Sequence, residues 1–116
     1  MLRTLMVALI AAFALTTAGA MGAANAAGMM VVHHKVADYA KWRPVFDGDK
    51  ANQEAAGLTN PHVYQAAGHP NDITITFDMA DITKAKAFTT SKALKATMGK
   101  AGVTSKPSIS FLNPAP

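Results

Sequence analysis

From Gly28 onward the chain switches repeatedly between two hydrophobic periods. Gly28 to Lys35 reads Gly-Met-Met-Val-Val-His-His-Lys. It is short, β-branched in the middle and apolar on both parities, which predicts a strand covered on both faces. Asp38 then offers an N-cap, and Tyr39, Trp42 and Phe46 follow at helical spacing. Pro44 interrupts that stripe. An interior proline removes a hydrogen bond and clashes with the carbonyl four residues back. The pattern therefore predicts a short first turn from Asp38 and a main helix from near Arg43 to about Ala56, with Pro44 in its first turn and Gly57 as C-cap.

Leu58-Thr59-Asn60-Pro61 reads as a turn and His62 to Ala67 as a short strand. Gly68-His69-Pro70-Asn71-Asp72 reads as a hairpin loop. Ile73, Ile75, Phe77 and Met79 alternate with Thr74, Thr76 and Asp78, the clearest strand signal in the chain. Asp81 caps a second helix bearing Ile82, Ala85 and Phe88, and Thr89-Thr90-Ser91 breaks it. Ser91 caps a third, with Leu94, Met98 and Ala101 on one face and Gly102 at its end. Ser108 to Leu112 is the last strand.

The order strand, helix, strand, strand, split helix, strand is that of a ferredoxin-like βαββαβ fold. It predicts an α+β domain with a four-stranded antiparallel sheet and helices on one face. The other face, if it carries Val, Tyr and Leu, needs a cover. Two such sheets paired face to face would form a barrel across a homodimer.

The first 26 residues change the picture of the whole. Met1-Leu2-Arg3 is a short positive region, Leu5 to Leu15 an unbroken apolar run, and Ala24-Asn25-Ala26 an A-x-A cleavage signature, with an earlier candidate at Ala18-Gly19-Ala20. The run is shorter than the ~20 residues that span a bilayer. We expect a cleaved signal peptide over residues 1–26, a mature start at Ala27, and a single domain over 27–116 in the periplasm or outside the cell. From 116 residues this leaves 90, and of 11 basic residues 10 stay, against 7 acidic.

The resulting charge of about +3 is read as spread along the chain. Arg43 is then the one arginine, which argues against nucleic acid as a partner. No membrane partner is expected once the leader is gone. With no cysteine, disulfides, thiolate metal sites, a cysteine nucleophile and a lipoprotein anchor are excluded. A core this thin without disulfides usually recruits a second copy.

His33-His34-Lys35-Val36-Ala37-Asp38-Tyr39-Ala40-Lys41-Trp42-Arg43-Pro44-Val45-Phe46-Asp47 resembles the start of small dimeric α+β barrel proteins of the antibiotic-biosynthesis-monooxygenase-like superfamily, often labelled cyclases. The resemblance continues through Ala55-Ala56-Gly57-Leu58, Ile73 to Asp78 and Lys100 to Val103. It implies the fold above and a homodimer. The chemistries it implies are varied: cofactor-free quinone-forming monooxygenation, polyketide cyclisation, haem degradation, or none known. Haem-degrading members use an Asn on the first strand, a Trp on a strand and a His on the second helix. This chain has no His on its second or third helix, and its one Trp is on the first.

His33 and His34, adjacent on a strand, face opposite sides and cannot share one ion. One would enter the helix–sheet space and the other the dimer barrel. The resemblance repeats a His at His34, the candidate proton-transfer residue; His33, Trp42, Phe46 and Tyr64 are candidate binding residues. Trp42 and Phe46, with Tyr64 and one of the two histidines, would frame a common pocket for a small hydrophobic, aromatic or polyketide-like ligand. Phe88 and Tyr39 would line the same space, and Asn60 or Thr76 could add polar groups. His62 and His69 complete no spaced ligand motif, so no metal is expected, and with no P-loop or dinucleotide fingerprint in the chain no cofactor is expected either. The functional alternatives are an enzyme acting on that ligand and a dimer that only binds it or serves a structural role. A titratable group inside a real cavity favours the first.

Overall fold

A computed structural model describes residues 28–116, and the leader and its cleavage signature lie outside the described residues. The elements are β1 (Gly28–Lys35), α1 (Tyr39–Gly48), α2 (Lys50–Ala55), β2 (Leu58–Ala66), β3 (His69–Met79), α3 (Ile82–Thr89), α4 (Lys92–Ala101) and β4 (Ser108–Leu112). The sheet order is β2-β3-β1-β4, and every neighbouring pair is antiparallel. All four helices cover one face, giving the expected α+β, ferredoxin-like layering.

Strand parity decides what is inside. On β1, Met30, Val32 and His34 turn toward the helices and are buried, and Val36 continues the row. On β3, Ile73, Ile75, Phe77 and Met79 form the opposing row, register-paired with His34, Val32, Met30 and Gly28. Trp42 from α1, Ala56 beyond α2, Ala85 from α3 and Ala101 from α4 close the core from above. The small residues at three of these contacts let the helices sit close to the sheet.

Three local expectations are corrected. The first helix does not restart at Arg43. It runs unbroken from its Asp38 cap, whose side chain accepts from Ala40 N–H, with Pro44 inside it. Ala40 and Pro44 are both exposed, so the carbonyl that loses its partner faces water rather than the core. The break comes later, at Asp49, and separates α1 from α2.

Leu58 to Pro61 is not a turn but the beginning of β2. Between the pairs Thr59–Asp78 and His62–Thr76, two residues of β2, Asn60 and Pro61, stand opposite one of β3, Phe77, with Asn60 at φ 51°. This is a β-bulge on an edge strand, where the missing N–H of Pro61 interrupts no central ladder.

The five-residue loop shrinks to Ala67-Gly68, with Gly68 at φ 79°, and β3 starts at His69. Pro70 is tolerated there because β1 pairs with β3 only from Asp72 onward. Elsewhere the signals hold. Asp81 accepts from Thr83 and Lys84 N–H, Ser91 accepts from Leu94 N–H, and Gly102 ends α4 in the left-handed region.

Candidate functional site: a buried histidine in an aromatic cavity

Between sheet and helices lies a cavity of about 70 Å³. Its floor is the inner row of β1 and β3, including Met30, Val32, His34, Ile75 and Phe77, and its roof is Trp42 and Phe46 from α1 with Phe88 and Leu94 from the α3–α4 pair. The lining is almost wholly apolar. Phe46 stacks on Trp42 with ring centroids 4.8 Å apart. Tyr39 packs against the other side of Trp42 at 5.8 Å, and its hydroxyl accepts from Arg43 Nη1 at 3.0 Å. The α1 aromatics thus form a braced wall, held by i, i+3 and i, i+4 contacts along one helix.

His34 is the polar residue of the sheet floor. It is 4% exposed, and the Trp42 ring meets it edge-on at 5.8 Å. Neither Nδ1 nor Nε2 has a hydrogen-bond partner among the described residues. Burial, and secondarily the nearby His33, lowers its pKa below the ordinary histidine value. His34 is therefore neutral at pH 7, with one N–H to give and one lone pair to accept. A ligand hydroxyl or carbonyl in the cavity would satisfy atoms that otherwise each raise the folded state's free energy by ~1–3 kcal/mol.

The candidate residues divide by face. His34, Trp42 and Phe46 come together, and Phe88 joins them. His33 and Tyr64 do not. Both flank Thr74 on the outer side of the sheet, across β1, β3 and β2 in turn. Tyr64 is 55% exposed there and stacks on His62, while His33 Nε2 contacts the Asp72 carboxylate. The expected single pocket containing Tyr64 is thus corrected. The bulge at Asn60 resets the alternation of β2 and puts Tyr64 on the far face, and Thr76 and Asn60 lie outside the cavity as well.

Two polar residues at the cavity escaped sequence reading. Asp49 and Gln53 are buried and line it. Asp49 accepts from Asn52 Nδ2 at 2.7 Å, and Gln53 Nε2 donates to the Phe46 carbonyl at 3.4 Å. Both follow from the α1–α2 break, which turns this segment inward. The signal was Asp47-Gly48-Asp49, a helix-breaking run read through as continuous helix. Among the described residues no three His, Asp or Glu side chains gather as metal ligands.

No family model matches the chain, and no curated protein matches it by sequence. Solved structures do. One is a protein assigned to the antibiotic biosynthesis monooxygenases from Caulobacter crescentus CB15, with 18% identity over 84% of this chain and 99% of that one and a TM-score of 0.59. The chain has the ferredoxin-like fold of that structure. The same fold is seen in SnoaB from Streptomyces nogalater, a cofactor-independent oxygenase, with 13% identity over 76% of this chain and 94% of that one and a TM-score of 0.58. It is also that of the ActVA-Orf6 monooxygenase of Streptomyces coelicolor, solved in complex with nanaomycin D, with 12% identity over 79% and 90% and a TM-score of 0.55.

Proposed function

We propose that this monooxygenase-like protein is exported, pairs through its sheet face, and acts on a small aromatic molecule in the helix–sheet cavity with His34 as the proton acceptor. One observation carries the reading: a buried, neutral imidazole with two unpaired nitrogens sits inside an aromatic-lined cavity. Such a group is costly to keep and useful for moving a proton. His34 would take the O–H proton of a phenol and leave a phenolate, held between Trp42, Phe46 and Phe88. With dioxygen as co-substrate the balance is phenol plus O₂ to quinone plus water. The ring gains one oxygen and loses two hydrogens, and the second oxygen leaves as water. The cofactor-independent oxygenase and the nanaomycin-bound monooxygenase that share the fold support this class of chemistry by analogy.

Cavity size narrows the substrate. About 70 Å³ is roughly half of the engineered ~150 Å³ that admits benzene. A single ring enters only if Phe88 and Leu94, both half-buried, give way. The same figure favours a second reading, a dimer that binds a small molecule without turning it over.

Dimer pairing is supported by the outer sheet face, where Met29 (39% exposed) and Leu112 (46%) are cross-strand neighbours and Tyr64 stands exposed on the same face at the opposite edge strand, β2. The test of function is oxygen uptake with phenol as probe. Wild type consumes oxygen, and His34→Gln stays folded but slows by about 10²-fold or more. A wild type that binds phenol without consuming oxygen overturns the oxygenase in favour of the binding dimer. One that does not bind phenol overturns both.

A further inference from the structure

The modest net charge hides an uneven distribution. All seven acidic residues lie at or before Asp81. From Ile82 to the C-terminus the chain carries Lys84, Lys86, Lys92, Lys95, Lys100 and Lys106 and no Asp, Glu or Arg. Gly28 to Asp81, by contrast, holds four basic residues against those seven. The fold gathers the positive charge. All six lysines are exposed, while Ala85, Phe88, Leu94, Met98 and Ala101, interleaved among them on α3 and α4, turn inward. Among the described residues none of the six pairs with a carboxylate; Lys86 lies over the Phe111 ring instead. Five of the six stand on α3 and α4 and Lys106 on the segment that follows, and such uncompensated like charge raises self-repulsion and is a surface waiting for a counter-charge.

We infer that the α3–α4 face docks on an anionic lipid bilayer. Charge complementarity selects an anionic partner, and three observations favour a lipid surface over nucleic acid. The patch is all lysine, whose compact ammonium suits a plane of headgroups, with none of the arginine that reads phosphate and base edges bidentately. Its aromatic rings, Phe88 and Phe111, are half-buried and offer no stacking platform for bases. An open apolar cleft between α2 and the α3–α4 pair also begins beside Lys84. Phe88, Leu94 and Asp49 line both this cleft and the His34 cavity. A bilayer against this face lies across the cleft mouth, so an apolar molecule can pass from lipid to cavity without crossing water. No helix among the described residues is long and apolar enough to span a bilayer, so the contact is peripheral. It uses the layer opposite the outer sheet face, so docking and pairing do not compete. The docking does not depend on the chemistry proposed for His34.

The test compares partition of the full chain onto neutral phosphatidylcholine vesicles and onto vesicles of equal parts phosphatidylcholine and phosphatidylglycerol. The partner chain in the comparison is a Lys84→Glu/Lys92→Glu/Lys95→Glu variant. Residues 1–27 are common to both, so any partition they cause cancels. Each lysine at an anionic surface multiplies affinity by about fivefold. Wild type therefore prefers the anionic vesicles by about a hundredfold or more, the preference collapses in about 0.5 M salt, and the variant loses it. A Lys41→Glu/Lys50→Glu control on α1 and α2 keeps it. Should the triple variant fail to fold by circular dichroism, Lys92→Gln alone is expected to lose about fivefold. Equal partition of wild type on both vesicles, or an anionic preference that survives the triple reversal, overturns the proposal. Tighter binding to duplex DNA than to the anionic vesicles overturns the choice of lipid.

Discussion

Replacing His34 with leucine should make the protein more stable, not less. The wild-type imidazole is buried with both nitrogens unpaired, opposite Ile73 in the register and against the edge of Trp42. Leucine is of similar bulk, apolar, and flanked there by residues of its own kind. An unsatisfied buried polar atom costs ~1–3 kcal/mol. Removing the pair, with some loss from imperfect repacking, should raise stability by about 2 kcal/mol. At ~4–8 °C per kcal/mol for a domain of this size, the midpoint should rise by about 8–16 °C. The gain depends on pH with a definite sign. The folded-state pKa of His34 is lowered, so the unfolded chain binds the proton more readily. Wild-type stability is thus fully present above the unfolded value near 6.5 and falls as pH drops toward the folded value. The leucine protein lacks this term, and the gap between the two should widen on acidification. Thermal and urea melts followed by circular dichroism at pH 7.5 and pH 5.5 measure both effects. A leucine variant less stable than wild type at pH 7.5 would mean that the imidazole nitrogens are well partnered in solution, and the case for a poised His34 would collapse.

Trp42→Ala should lose about 3–5 kcal/mol, since a 2%-exposed ring with aromatic neighbours on both sides is removed; a loss under 1 kcal/mol in urea melts would show the aromatic wall to be slack. Asp81→Ala should cost about 1 kcal/mol by freeing the Thr83 and Lys84 N–H groups, read as a lower melting midpoint with unchanged oligomeric state. Leu112→Lys with Tyr64→Lys should convert a dimer into a folded monomer by light scattering; a wild type already monomeric at micromolar concentration would refute sheet-face pairing. Protein recovered from the periplasm should begin at Ala27 on N-terminal sequencing, and material starting at Met1 would refute export by cleavage.

How legible this was depends on how many constraints acted on each residue. β1, β3, the Asp81 and Ser91 caps and the Gly102 stop were readable because period and capping chemistry agree there. His34 was half readable. Adjacency put the two histidines on opposite faces, and Lys35, sharing the His33 parity, marks that row as the outer one. Tyr64 was not readable, because a single left-handed Asn60 resets the parity of everything after it in β2, and nothing in Asn-Pro distinguishes a bulge from a turn. The same holds for Pro44: whether proline ends a helix depends on where the orphaned carbonyl points, which tertiary packing decides. Asp49 and Gln53 look like solvated helix residues until the Asp47-Gly48-Asp49 break turns them inward.

The edges of the sheet carry a consequence for how this molecule can associate. β2 presents a strand kinked at Asn60, with Pro61 unable to donate. β4 is five residues long and lies between Pro107 and Pro114. Neither rim offers a long, straight row of free backbone groups on which another chain could template itself. Growth by adding strands side to side, the route to fibrils, is thereby closed at both ends of the sheet. A protein of this shape that self-associates must do so face to face, and face-to-face pairing uses up its own surface once made. The edge chemistry therefore limits such a molecule to finite assemblies.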